Sequence, residues 1–307
     1  MSDTLKPAAS ASDIPKAGWV DRYVPAALRP YLRLARVDRP IGTWLLLFPC
    51  WWGVALAAGP DLGTAAFYAL FAVGALVMRG AGCTFNDIVD RELDARVART
   101  ADRPIASGQI GLMQAFAFLG LQLALGLAVL LAFNRFVIGL GIASLALIVT
   151  YPFMKRVTWW PQAFLGITFN WGVLMGWAAV HGGLGVAPLL MYAGGIAWTL
   201  GYDTIYAHQD KEDDALVGVH STALLFAEGS RPWIGGFYAL AVVLFALAGL
   251  IAGLGWPYYL LLALAAAQLA WQAMRVDFDD PADCLVKFKS NRLTGWLLLA
   301  GLLLAPA

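Results

Sequence analysis

The sequence predicts an all-α polytopic membrane protein, nine transmembrane helices in one bundle with the active site on the cytoplasmic side. Three observations carry this expectation. Of 307 residues 60% are hydrophobic and only 13% charged, with a mean hydropathy of +0.69, whereas soluble domains carry about a quarter of their residues as charges. Apolar stretches close to the roughly 20 residues needed to cross a bilayer recur along the chain. Between them, Lys and Arg gather on alternate loops. A β-barrel would instead show alternating strands of about ten residues, and none are seen. The lipid bilayer is therefore the expected surrounding; neither nucleic acid nor an obligatory protein partner is expected.

Taken in order, residues 1–18 mix Ala, Ser, Pro and Asp without the apolar core of a signal peptide, and a disordered tail is expected. Residues 19–40 interleave Arg22, Arg29, Arg33, Arg36 and Arg39 with Val24, Leu28, Tyr31, Leu32, Leu34 and Val37, which fits an amphipathic interfacial helix on anionic headgroups. A mitochondrial presequence is the alternative for a eukaryotic source; Asp3, Asp13 and Asp21 weigh against it. Residues 41–307 form the membrane domain. Its spans are expected at Ile41–Ala58, Thr64–Thr84, Leu112–Phe133, Val137–Met154, Gln162–Val180, Ala187–Tyr206, Trp233–Leu254, Trp256–Met274 and Leu293–Ala305. With the amino terminus in the cytoplasm, the loops on that side hold Arg91, Arg96, Arg99, Arg103, Lys155, Arg156, Lys211, Arg231, Arg275, Lys287, Lys289 and Arg292. The opposite loops hold only Arg135. Cys50, Cys83 and Cys284 are scattered and suggest core packing rather than a disulfide framework or a metal motif.

The chemistry sits where spans end. Asn86, Asp90 and Asp94, in NDIVDRELD, stand at i, i+4 and i+8, so on a helix they share one face, with Asp87 one position off. A second cluster, Asp203, Asp210, Asp213 and Asp214 in YDTIYAHQDKEDD, again follows an apolar run. Both fall on the side assigned to the cytoplasm, and two such clusters suggest one site built from both. Oxygen-only donors without His or Cys at ligand spacing favour a hard cation such as Mg²⁺, which is commonly held by one or two carboxylates plus substrate phosphates. Basic residues suited to phosphate lie nearby in sequence: Arg36 and Arg39 before the first span, Arg99 and Arg103 after the first cluster, and Lys155 and Arg156 at the end of the fourth span. A diphosphate at the rim of an apolar bundle, with its other end in the membrane, describes a polyprenyl diphosphate. Two plainer readings stand beside this one. The first cluster is also what a solvated loop neutralised by Arg91, Arg96, Arg99 and Arg103 would look like, and acids near membrane helices also serve cation-coupled transporters.

The stretch NDIVDRELDARVARTADRPIASG resembles the NDxxDxxxD signature of the UbiA family of intramembrane prenyltransferases, and YDTIYAHQDKEDD resembles that family's second Asp-rich motif. YPFMKR, Tyr151 to Arg156, matches its YxxxK pattern, and the likeness runs from about Leu32 to Gly295. RPIASG, YDTIYA and DFDDPADCLVKFKSNRLTG look most like the members that act on 4-hydroxybenzoate in ubiquinone synthesis. The resemblance implies Mg²⁺ held by Asn86, Asp90, Asp94, Asp210 and Asp214; Glu212, Asp213 and Asp214 leave open which acid of the second motif meets metal. It implies diphosphate contacts from Arg36, Arg99, Arg103, Tyr151, Lys155 and Arg156, and Arg79 opposite the carboxylate of the aromatic acid. Aromatic residues such as Phe48, Trp171, Trp177 and Tyr206 would shield an allylic cation from water. Asp203 or Asp87 would position or deprotonate the phenol. Haem, menaquinone and homogentisate-type acceptors are the nearer alternatives. The expected location is the bacterial inner (cell) membrane, or the mitochondrial inner membrane in a eukaryote.

Overall fold

The computed structural model describes residues 14, 15, 17–97 and 99–305, without the side chains of Asp213 and Val217. The expected tail, residues 1–18, lies outside the described residues but for Ile14, Pro15, Ala17 and Gly18. Among the described residues every regular element is helical. The long helices are α1 (Ile41–Ala58), α2 (Ala65–Val89), α3 (Leu112–Leu130), α4 (Arg135–Val157), α5 (Pro161–His181), α6 (Val186–Ala207), α7 (Ser230–Ile251), α8 (Trp256–Arg275) and α9 (Pro281–Leu304). Six stretches are long and apolar enough to cross a membrane: α1, α2 with the turn before it (Leu62–Val89), α3, α4, α5, and Thr222–Ile251, which contains α7. The other three expected spans fold as α6, α8 and α9, where polar and small residues dilute the apolar run.

Two departures from expectation have physical reasons of their own. The last helix starts at Pro281 rather than Leu293, because Asp280 caps it by accepting from Ala282 N at 2.9 Å and Pro281 suits a first turn. Its buried Lys287 is made tolerable by Asp283 at 2.7 Å and by the Trp271 ring, 4.5 Å from Nζ. The interfacial segment is not one helix but two short ones, Trp19–Tyr23 and Arg29–Leu34. Pro25 follows the first, and Pro30 is admissible only at the start of the second.

Contacts divide the chain into two compact units, Met1–Pro40 with Val77–Leu125, and Ile41–Leu76 with Gly126–Ala307. The larger is a ring of helices. α1 packs on α5, α5 on α6, α6 on α7, α7 on α8, α8 on α9, and α9 back on α1, with α4 laid against α5. Lipid tails are as apolar as leucine, so such a bundle is held by close packing and interhelical hydrogen bonds, each worth about 1 kcal/mol, rather than by hiding apolar surface from water. Aromatic donors supply many of those bonds. Trp52 Nε1 donates to the Gly295 carbonyl (3.0 Å), Trp171 Nε1 to Leu140 (3.0 Å), Tyr192 Oη to Ile167 (3.0 Å) and Tyr258 Oη to Phe245 (2.8 Å). Trp198 Nε1 meets Asn291 Oδ1 at 2.8 Å, and Tyr238 Oη meets Gln272 Oε1 at 2.6 Å.

At Gly53 and Gly176 the α1–α5 contact has no room for a side chain. A Cβ added at Gly176 would stand 2.2 Å from the Cys50 carbonyl oxygen, and one at Gly53 would stand 2.2 Å from that of Val173. The free cysteines are all buried, as packing residues should be.

The smaller unit gathers around Leu34, Ile88, Ile105, Ile110 and Ala115, with Tyr31 set edge-on to Phe118 at 5.2 Å. Past Asp94 the chain folds back through turns closed by Arg103 N to Thr100 O (2.9 Å), Ser107 N to Arg103 O (2.8 Å) and Ile110 N to Pro104 O (2.9 Å). Ile105 and Ile110 anchor that loop in the apolar cluster.

Replacing Gly176 by Val is expected to separate α1 from α5 and lower the melting temperature in detergent, an overpacking cost of about 1–3 kcal/mol. Gly235→Ala, at a position with nothing within 4 Å of the added Cβ, should leave it in place. A Gly176→Val protein that melts with the wild type would contradict the backbone contact.

Candidate active site

The first acid cluster belongs wholly to the smaller unit. α2 runs past the expected Thr84 and takes Asn86 and Asp87 into its final turn before ending at Val89. Asp90 lies in a turn and Arg91–Asp94 forms one further helical turn. Backbone bonds from Asp90 N to Asn86 O and from Asp94 N to Asp90 O, both 2.8 Å, keep the four-residue register through the break. The face expected from the spacing therefore survives, although the helix does not continue uninterrupted.

Asp87 and Asp90 are each 1% exposed and Asp94 6%, so the cluster is not a solvated loop. Burial on this scale demands compensation. Arg36 Nη2 donates to Asp87 Oδ1 at 2.9 Å. Arg103 Nη1 lies 3.0 Å from both oxygens of Asp94 and 3.5 Å from Asp87 Oδ1. One guanidinium nitrogen thus spans two carboxylates. Thr100 fastens the loop that carries Arg103, its hydroxyl donating to the Asp94 carbonyl at 2.9 Å. Burial pushes the Asp94 carboxyl above its ordinary range; Arg103 opposes this, and the neighbouring Asp87 and Asp90 reinforce it. Arg79, half-buried on α2, and Arg99, half-buried in the loop, belong to the same unit.

The second cluster belongs to the larger unit. Asp203 is half-buried near the end of α6; a 3₁₀ turn, His208–Asp210, and a short helix, Lys211–Val217, present Asp210 and Asp214. Gly218, at φ 73°, reverses the chain, as glycine can without strain. The returning strand of chain is tied down at several points. His220 N donates to the Lys155 carbonyl at 2.7 Å and its ring lies tilted against that of Trp159, 4.1 Å away. Thr222 N donates to Gln162 Oε1 at 3.0 Å. Within this unit the acid loop and the Tyr151–Arg156 end of α4 are therefore brought together. Gln162, Ser230 and Thr100 escaped the sequence reading, since a lone hydroxyl or amide carries no spacing signal.

Of the aromatic residues expected to shield a cation, Phe48 is fully buried and packs between Trp52 and Trp296 in the core. Trp171 is committed to the Leu140 carbonyl, Trp177 packs on His181, and Tyr206 lies 4.4 Å from the Phe288 ring.

Do these residues suit Mg²⁺? The donors are oxygen only, and Asp87 Oδ2 is buried without a hydrogen-bond partner among the described residues. Asp94 already holds a positive group between its two oxygens. Among the described residues no three His, Cys, Asp or Glu side chains form a ready metal cage, so the remaining ligands of an ion would be substrate phosphate and water, the usual way of holding Mg²⁺. The donor chemistry fits.

An all-helical chain with helices long and apolar enough to cross a membrane, with acidic clusters at helix ends and arginine set against the first of them, defines an integral-membrane protein with polar chemistry at the ends of its helices. The chain belongs to the UbiA prenyltransferase family, whose sequence model matches residues 46–305. It is 54% identical over 290 residues to the mitochondrial 4-hydroxybenzoate polyprenyltransferase of Rattus norvegicus, covering 94% of this chain and 78% of that protein. With the enzyme of the same description from Arabidopsis thaliana it is 51% identical over 293 residues, covering 95% and 72%. A solved UbiA homologue from Aeropyrum pernix superposes with a TM-score of 0.74 at 27% identity, covering 85% of this chain and 97% of that one. A homologue from Archaeoglobus fulgidus, bound to GPP and Mg²⁺, shares the fold with a TM-score of 0.66 at 19% identity, covering 88% and 99%.

His208 gives this region a pH dependence. It is buried, with Nε2 2.9 Å from Ser230 Oγ, and burial, aided by Lys211, draws its pKa from 6.5 down to about 4. Above pH 6.5 the imidazole is neutral in folded and unfolded chains alike, and its contribution is fully present. Between there and about 4 the unfolded chain takes the proton before the folded one, so stability is lost as pH falls. Melting temperatures of the wild type and His208→Gln across this range should diverge, with the variant losing less on acidification. Parallel curves would remove His208 as the cause.

Proposed function

We propose that the chain transfers a polyprenyl group from polyprenyl diphosphate to the ring carbon ortho to the hydroxyl of 4-hydroxybenzoate, releasing diphosphate, as a step of ubiquinone biosynthesis. The observation that carries this reading is identity of 50–54% over more than nine-tenths of the chain with 4-hydroxybenzoate polyprenyltransferases of human and rat. Family membership also sets aside the cation-coupled transporter, and the names of the relatives favour 4-hydroxybenzoate over haem, menaquinone or homogentisate-type acceptors.

In this reading Asn86, Asp90 and Asp94 would hold Mg²⁺ together with the diphosphate, and Asp210 and Asp214 would be metal ligands likewise. Bound there, the ion supplies positive charge to the departing group. Arg99, Arg103, Lys155 and Arg156 meet the phosphate oxygens, with Tyr151 beside them. The allylic C–O bond breaks with its electron pair leaving on diphosphate, and the apolar helices keep water from the resulting cation. Arg79 orients the aromatic acid through its carboxylate. The ortho carbon bonds to the allylic carbon and then loses its proton, restoring the ring. Asp203 or Asp87 positions or deprotonates the phenol; of the two, Asp87 already accepts from Arg36 and Arg103 at Oδ1.

All nine long helices cross the bilayer in this reading, and the distribution of Lys and Arg supports a site facing the cytoplasm of a bacterium, or the matrix of a mitochondrion. The segment 19–40 rests on the headgroups of the same face, as its exposed Trp19, Tyr23 and Leu28 beside basic residues suggest.

Membranes bearing the protein should join a polyprenyl diphosphate to 4-hydroxybenzoate in Mg²⁺ and stop on addition of EDTA. Asp90→Ala and Asp210→Ala should each abolish product while the protein still inserts. Arg79→Ala should raise KM for 4-hydroxybenzoate about tenfold or more with little change in KM for the diphosphate. Product mass, read by mass spectrometry with several acceptors in parallel, decides the substrate; no prenylated product from any acceptor in Mg²⁺ would end the reading.

A further inference from the structure

The short helix Arg29–Leu34 closes with Arg36 N donating to the Arg33 carbonyl and Val37 N to the Leu32 carbonyl, both at 3.0 Å. This is a Schellman turn, and its reversing residue is Arg36, at φ 58°. That position ordinarily takes glycine, because a Cβ crowds the backbone in the left-handed region. Glycine does take such positions elsewhere in this chain, at Gly108, Gly182 and Gly218. Here a large charged residue stands instead, and it is buried at 8% exposure with its guanidinium on Asp87, across 51 residues of sequence. Strain kept at a buried charged residue is a pointer to function.

We infer that Arg36 is a positioning residue for the first acid cluster. It fixes the Asp87 carboxylate; Asp87 and Asp94 share Arg103 Nη1, at 3.5 and 3.0 Å; and so the setting of Asp94 depends on a residue that the sequence alone assigns to the diphosphate. The strained turn aims the guanidinium at Asp87, and the glycine that would relax the turn would remove the clamp. This inference rests on the prenyltransferase reading, in which Asp94 holds the metal.

The experiment is a double-mutant cycle in the full-length protein with Arg36→Gly, Asp87→Asn and the pair. Three quantities are read: the melting temperature without metal, the affinity for Mn²⁺ in the presence of inorganic diphosphate by electron paramagnetic resonance, and KM and kcat separately. Each single variant should weaken Mn²⁺ binding about tenfold or more, and the double variant should be no worse than the weaker single, because residues acting through one contact are not additive. Melting temperatures should show the same non-additivity. Arg36→Lys keeps the charge without the planar fork, should bind Mn²⁺ with intermediate affinity, and carries the same cycle if Arg36→Gly does not accumulate. Additive losses, or unchanged Mn²⁺ affinity with only the KM for polyprenyl diphosphate raised, would place Arg36 on the substrate and overturn the inference. Failure of the wild type itself to bind Mn²⁺ or to form product would instead strike the prenyltransferase reading.

Discussion

A carboxylate taken out of water keeps its charge only where a cation is held against it, and the smaller unit is arranged around that requirement. Asp87, 1% exposed, receives one guanidinium from before α1 and part of another from the loop after α2. Each of those arginines is delivered by a local device: the left-handed turn at Arg36, and the turns from Thr100 to Ile110 that bend Arg103 back over Asp94. The apolar residues of the unit, Leu34, Ile88, Ile105 and Ile110, pin the segments that carry these charges. Packing and electrostatics are here one arrangement.

The larger unit solves a different problem. Its indole and phenol groups bring large apolar area into the interior along with a donor that has to be satisfied there. Across the ring the donors find a carbonyl or amide of a neighbouring helix: Trp52 reaches Gly295, Trp198 reaches Asn291, Tyr258 reaches Phe245. Asn291 is in turn shared with Gln272, and Gln272 with Tyr238 and Ser290. A network in which each member satisfies the next tolerates only one relative placement of α6, α7, α8 and α9.

Much of this was legible in the residues. Apolar runs located the long helices, and the four-residue spacing of Asn86, Asp90 and Asp94 held through the break in the helix because the backbone bonds continued. What stayed hidden was pairing over distance. Nothing in the sequence says that Arg36 meets Asp87, or that Gln162 receives the backbone of Thr222, 60 residues on. The start of α9 was concealed for another reason: hydropathy counts Lys287 and Asp283 as two penalties, whereas the fold joins them as one neutral pair beside an indole. Phe48 looked like a wall residue because aromatic side chains serve both as lining and as filling, and only burial tells the two apart.

The glycine contact between α1 and α5 bears on how such a bundle can diversify. Where Gly53 and Gly176 meet the facing main chain, no side chain can be added without parting the helices, so those two positions are closed to gradual change. Elsewhere rings fill notches opposite glycine, as Phe245 does at Gly194 and Tyr238 at Gly201. At Gly201 an added methyl would first meet the edge of the Tyr238 ring rather than a carbonyl of the facing helix, so the obstacle to change there is a side chain and not the main chain.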